Sequence, residues 1–271
     1  MALCHVDFFS NVLGQCMQMD VILPERTQGQ IGMEGHVDAG KYPTLYLLHG
    51  MSDDHTIWQR RTSIERYASE HSLAVVMPGV SLSWYTDMYS SDTCRYFTYV
   101  SQELPRICRD FFPNMSPRRE DTWVAGLSMG GYGALKCALR APETFSRAAS
   151  LSGAVDVASL CRQRALDSSQ RYWESVFGPA GQVAGSENDL FALAERVPEP
   201  DRPALFMWCG EQDFLLPDNL RLRDHLARLG YDLTYSQSSG DHQWKYWDEK
   251  IQTVLDWMIP EEPADEAGEE E

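Results

Sequence analysis

Five short stretches of the chain are made mostly of apolar and small residues: 44–50 (TLYLLHG), 73–79 (LAVVMPG), 122–128 (TWVAGLS), 147–153 (RAASLSG) and 204–210 (ALFMWCG). Each is too short for a core helix, and none alternates polar with apolar positions. Strands buried on both faces of a parallel sheet have this pattern. Helix-length segments lie between them, among them Ile57 to Ser69 and Arg95 to Phe112. Strands alternating with helices predict a mostly parallel central sheet with helices on both faces, an α/β class. Pro105 falls inside the second segment and is expected to kink or divide it.

The two ends break this rhythm. Residues 5–10 (HVDFFS) and 16–24 (CMQMDVILP), joined by a turn containing Gly14, predict an N-terminal antiparallel strand pair. Residues 26–43 are rich in glycine and poor in apolar side chains, and read as an exposed loop. Residues 154–200 contain no clear strand. They predict helices and loops inserted above the sheet, where such segments often wall a pocket. The final unit is the strand at 204–210, a helix over about 217–229, a strand at 232–239 and a helix over about 243–258. No linker divides the chain, so one domain is expected over residues 1–259. The last twelve residues, PEEPADEAGEEE, read as an acidic disordered tail.

Composition narrows the classes. With 271 residues and 43% hydrophobic content the chain can bury a large core. No run of eighteen apolar residues predicts a membrane span. The start, MALCHVDFFSNVLGQ, lacks the basic and apolar regions of a secretory signal, so a cytoplasmic location is expected. The seven cysteines are scattered and form no C-x-x-C pair, which favours reduced thiols over a disulfide framework or a zinc site. Net charge is −17, and the body stays acidic after the tail's seven acids are set aside. That discourages nucleic-acid and anionic-membrane partners. No metal or cofactor is called for, and monomer and homo-oligomer both remain open.

The chemistry concentrates at Gly126-Leu127-Ser128-Met129-Gly130. Alone, this G-x-S-x-G pattern is weak evidence. Here it follows a strand and precedes a helix that stops at Pro142, the setting in which the motif lifts a serine hydroxyl above a sheet edge. Larger side chains at 126 and 130 would collide as strand and helix pack. The helix start that follows favours negative charge at the site. A serine hydroxyl needs a base, and the base needs an orienting acid. Of seven histidines, His225 lies mid-helix, His5 and His36 precede the sheet core or sit in the glycine-rich loop, and His71 precedes a strand. His242, in SSGDHQW, follows the last strand on the same edge as Ser128. Asp213 follows the strand at 204–210, while Asp218 reads as a helix-start residue. The order Ser128, Asp213, His242 is that of an α/β-hydrolase fold, with all three beyond the carboxyl ends of strands. Two backbone N–H groups should complete an oxyanion hole. Met129 supplies one and Met51, after Gly50, the other, with His49 packed behind.

The segments LYLLHGMSDDHTIW, VVMPGVSLSWYTD, FFPNMS, VAGLSMGGYGALKCAL, WCGEQDF and GDHQWKYWD together resemble the esterase D group of α/β-hydrolases, most closely the bacterial tributyrin esterases. The likeness runs from about residue 5 to 257. It implies a carboxylesterase for short acyl esters, with Ser128 as nucleophile, Asp213 as acid, His242 as base and Met51 and Met129 as oxyanion donors. It also implies that Trp84 and Tyr85 border the cleft. Trp173 is a candidate wall residue from the inserted region, with core packing as its other reading. S-formylglutathione hydrolases of the same broader group usually carry Ser-Gly-Leu where this chain has His49-Gly50-Met51, which weighs against a thioester. The group also holds acetyl and feruloyl esterases and mycolyl transferases. The expected activity is therefore hydrolysis of a small-molecule ester. Acyl transfer to an alcohol or sugar, a carbohydrate-ester or thioester substrate, and binding without turnover are the alternatives.

Overall fold

The computed structural model describes residues 1–27, 31 and 40–259. The expected tail, His36 and most of the loop at 26–43 lie outside these residues. Eight strands form one sheet: β1 (Ala2–Ser10), β2 (Gln15–Leu23), β3 (Thr44–Leu48), β4 (Ala74–Pro78), β5 (Thr122–Leu127), β6 (Arg147–Leu151), β7 (Ala204–Gly210) and β8 (Leu233–Ser238). Their order is β1-β2-β4-β3-β5-β6-β7-β8. β1 pairs antiparallel with β2, and β2 antiparallel with β4; the remaining pairs are parallel. This is the α/β-hydrolase arrangement expected from the sequence.

The strand patterns follow from position. β3, β4 and β5 are buried at every residue because neighbours and helices cover both faces. β1 and β8, at the edges, show mixed burial. Alternate residues of the central strands enter opposite cores. Trp123, Ala125 and Leu127 pack with Trp58, Ile64, Trp247 and Leu255 on one side. Val124 packs on the other side with Leu135, Ala138, Tyr99 and the helices of the 154–200 region.

Two helical segments differ from their predicted outlines. The segment over 57–69 is two helices, Ile57–Arg61 and Ile64–Ser69. Thr62 explains the break: its hydroxyl donates to the Trp58 carbonyl at 2.6 Å and accepts the Ile64 N–H at 3.1 Å, competing with the backbone ladder. The segment over 95–112 runs as Tyr96–Thr98, a π-helical stretch Tyr99–Glu103, and Leu104–Phe111. Pro105 has no N–H for the Ser101 carbonyl, so the ladder widens just before it, dividing the helix where the sequence placed a kink. The 154–200 region folds as Val157–Arg164, Gln170–Phe177, Ala180–Val183 and Leu190–Arg196, with no strand.

Parallel register brings the strand ends to one edge. Leu48 of β3 lies beside Gly126 of β5, Leu127 beside Leu151 of β6, and Gly210 of β7 beside Ser238 of β8. The segments that follow these ends carry Met51, Ser128, Asp213 and His242.

Candidate active site

Ser128 sits between β5 and helix Met129–Arg140 with φ 53° and ψ −117°. This left-handed backbone is unfavourable for a residue with a side chain and persists only where packing enforces it, at a cost of about 1–3 kcal/mol. The flanking glycines make the turn fit. A Cβ on Gly126 would lie 2.4 Å from Gly130 backbone atoms, and one on Gly130 would lie 2.4 Å from the Leu48 carbonyl oxygen. The Ser128 N–H donates to the Leu151 carbonyl at 3.0 Å, and its own carbonyl accepts from Ala154 at 3.1 Å, which anchors the turn to β6 and the segment after it.

The loops after β7 and β8 are joined. The Gln212 N–H donates to the Gly240 carbonyl, and the Gln212 side chain accepts the Gly240 N–H at 2.8 Å. Asp213 and His242 are thereby brought together. His242 Nδ1 lies 2.9 Å from Asp213 Oδ2, and His242 Nε2 lies 3.0 Å from Ser128 Oγ. An ionised carboxylate only accepts, so Nδ1 carries the proton and Nε2 is free to accept from the serine hydroxyl. The Asp213 side chain is wholly buried, and its other oxygen accepts the Leu215 N–H at 2.9 Å. Burial pushes the Asp213 carboxyl up. The bonds from His242, the Leu215 amide and Ser152, together with the His242 charge, outweigh it and hold the group below its ordinary value. Phe214 and Trp247 flank the imidazole, each with its ring centroid 4.8 Å away. Neither was singled out from the sequence. The one available signal was their position next to, and five residues beyond, Asp213 and His242.

Met129 opens its helix, and the first intrahelical acceptance at this end is Tyr132 N–H to the Ser128 carbonyl, so the Met129 N–H has no partner within the helix. Gly50 lies beside the serine: a Cβ built on it would be 3.8 Å from Ser128 Cβ. Met51 follows, with its side chain exposed. His49 is buried behind this loop. The other described histidines lie elsewhere: His5 bonds Asp20, His55 lies 4.0 Å from the same carboxylate, His71 faces Asp256, and His225 bonds the Phe191 carbonyl.

The aromatic residues expected at the cleft need correcting. Tyr85 has no exposed surface, and its hydroxyl donates to the His49 carbonyl, so it sits behind the loop rather than in the cleft. Trp84 is buried as well, with its indole N–H on the Tyr172 hydroxyl. Trp173 stacks on Phe177 and tilts against Trp84, which makes it part of an inner aromatic cluster. A single sequence does not reveal which way a loop aromatic faces, and here the space lay inward.

Among the described residues no group of three His, Cys, Asp or Glu is placed to hold a metal, and no helix is long and apolar enough to cross a membrane.

The family model described as "Putative esterase" matches residues 10–258. An acetyl esterase of Caldicellulosiruptor saccharolyticus is 31% identical over 265 residues, covering 95% of this chain and 98% of its own. A fluorophosphonate-binding serine hydrolase F of Staphylococcus aureus superposes with TM-score 0.83 at 36% identity, over 96% of this chain and 99% of its own. An S-formylglutathione hydrolase from the same organism superposes with TM-score 0.80 at 35% identity, over 95% and 99%. The serine-bearing turn, the eight-stranded sheet and these likenesses agree: the chain belongs to this esterase family and is a serine carboxylic ester hydrolase.

Proposed function

We propose that the protein is a short-chain carboxylesterase of the esterase D and tributyrin esterase type. Ser128 is the nucleophile, His242 the base, Asp213 the orienting acid, and the Met51 and Met129 N–H groups hold the oxyanion. The continuous hydrogen-bonded line from Ser128 Oγ through His242 to Asp213 carries this reading. His242 takes the hydroxyl proton as Oγ attacks the ester carbonyl, and passes it to the departing alkoxide. The acyl-serine is then hydrolysed by water that His242 activates in the same way.

A cavity of about 200 Å³ lined by Ala154, Asp156, Leu160, Gln163, Arg164, Phe214, Leu215 and Asp218 adjoins the site through Phe214, whose ring packs on the His242 imidazole. The working unit spans residues 1–259, with 154–200 as the inserted region that helps shape it. Seven free thiols among the described residues favour a reducing, cytoplasmic setting. The deciding experiment is a panel of p-nitrophenyl esters from acetate to palmitate, with acetylated sugar and S-formylglutathione beside them. Preference for two to four carbons is expected. The likeness to an S-formylglutathione hydrolase makes a thioester the second reading. Preference for S-formylglutathione by orders of magnitude would establish it instead.

A further inference from the structure

The two N–H groups assigned to the oxyanion come from different elements, Met51 from the loop after β3 and Met129 from the helix start. Such a hole works only as well as its halves are held relative to each other. Three consecutive carbonyls at the end of β3 each accept from a side chain of the core. The Trp58 indole donates to Leu48 at 3.1 Å, the Tyr85 hydroxyl to His49 at 2.8 Å, and His49 Nδ1 to Gly50 at 2.8 Å. The tautomer of His49 is determined. The Val80 amide can only donate, and it lies 3.1 Å from Nε2, so the ring proton is on Nδ1 and goes to the Gly50 carbonyl. Burial pulls the His49 pKa down, which keeps the ring neutral as this pattern requires. In a planar trans peptide the carbonyl and the following N–H point opposite ways. Holding the Gly50 carbonyl on the ring therefore sets the direction of the Met51 N–H.

Tyr85 adds a second constraint. Its ring lies so close to helix Met129–Arg140 that a Cβ on Gly133 would meet it at 2.3 Å. One side chain thus spans the nucleophile helix and the oxyanion loop. Trp84 and Tyr85 carry consecutive left-handed φ values of 56° and 52°, a conformation kept only where the surroundings enforce it.

We infer that His49 and Tyr85 are positioning residues that hold the two halves of the oxyanion hole in register, His49 by orienting the Gly50–Met51 peptide and Tyr85 by tying the His49 carbonyl to the nucleophile helix. This rests on the serine reading above. Neither side chain touches substrate.

The test uses the full chain with p-nitrophenyl acetate, each rate divided by active sites titrated with a fluorophosphonate probe. Tyr85→Phe keeps the ring and removes only the hydroxyl. His49→Asn places an amide N–H near the lost Nδ1, and His49→Gln places its amide near the lost Nε2. In Tyr85→Phe and His49→Gln, kcat should fall about 10- to 100-fold with KM nearly unchanged, and His49→Asn should retain more kcat than His49→Gln. Affinity for an alkyl boronic acid, whose serine adduct presents a tetrahedral oxygen to the hole, should fall in step with kcat. A purely structural role would lower Tm and leave the rate per labelled site unmoved. Should the His49 variants fail to fold, Tyr85→Phe decides alone. The inference is overturned if Tyr85→Phe keeps its kcat per labelled site, or if His49→Gln outperforms His49→Asn. Hydrolysis retained in Ser128→Ala would instead remove the serine reading, and this inference with it.

Discussion

Ser128 and the Trp84–Tyr85 pair all carry positive φ, at 53°, 56° and 52°. The two turns use it in opposite directions. At Ser128 the strain presents a small hydroxyl to His242, and Gly126 and Gly130 clear the ground for strand and helix to meet. At Trp84 and Tyr85 it accompanies two large rings packed into the interior, where Gly133 leaves room for one of them. At these three positions a positive φ without glycine's freedom accompanies a side chain held in one direction. The space around it decides whether that direction is outward or inward.

The sharpest way to break the comparison is at the outward turn. Ser128→Ala should lower turnover by about 10⁶, with the fold retained by circular dichroism. Substantial ester hydrolysis in that variant would show that the turn does not aim a nucleophile. Asp213→Asn comes next, with kcat lower by about 10⁴ through the wrong imidazole tautomer. It also tests the electrostatics. The Asp213 carboxyl is held below its unfolded value, so its stabilisation is present above the unfolded pKa, about 4, and is lost as pH falls through the lower folded one. The Tm advantage of the parent over Asp213→Asn should shrink as pH falls below about 4.

The inward turn should answer in stability rather than chemistry. Trp84→Ala removes a buried ring packed on Tyr132, Trp173 and Phe177, and should cost about 3–5 kcal/mol in urea unfolding. A stable Trp84→Ala protein with lost substrate affinity would return Trp84 to the cleft.

The smallest effect concerns Lys136, fully buried on helix Met129–Arg140, whose ammonium donates to Thr86 at 2.8 Å and Asn188 at 2.7 Å. It ties the inward turn to the 154–200 region. Burial, with Arg140 nearby, pulls its pKa down to about 7. In the unfolded chain the amine keeps its ordinary value, about 10.5, so the folded state binds fewer protons between the two and stability rises with pH there. The stability of the parent relative to Lys136→Met should therefore increase from about pH 7 to about pH 9. A flat difference would mean that the amine is not desolvated.

Legibility followed how local each cause was. The strand-turn-helix around Ser128 is written within a few residues, since Gly126 and Gly130 are needed by the backbone itself. The meeting of Asp213 and His242 beside Ser128 was readable because they follow strand ends, and parallel strands deliver those ends to one edge. The break at Thr62 was not readable, because threonine's bonds to Trp58 and Ile64 compete with a helix that the periodicity alone would continue. The facing of Trp84, Tyr85 and Trp173 was also hidden, because it depends on partners such as Tyr132, Tyr172 and Phe177, distant in sequence from the Trp84–Tyr85 turn.

The chain by itself determined the alternation of strands and helices, the serine on its glycine-flanked turn, and the placing of Asp213 and His242 just beyond strand ends. Those features arise from short-range sterics and from the burial pattern of single elements. Only the tertiary structure decided which aromatic rings turn inward, which tautomer His49 adopts and which side chains brace the loop beside Ser128. Each of these depends on the free volume and hydrogen-bond partners offered by segments remote in sequence, and no local pattern encodes where those segments will meet.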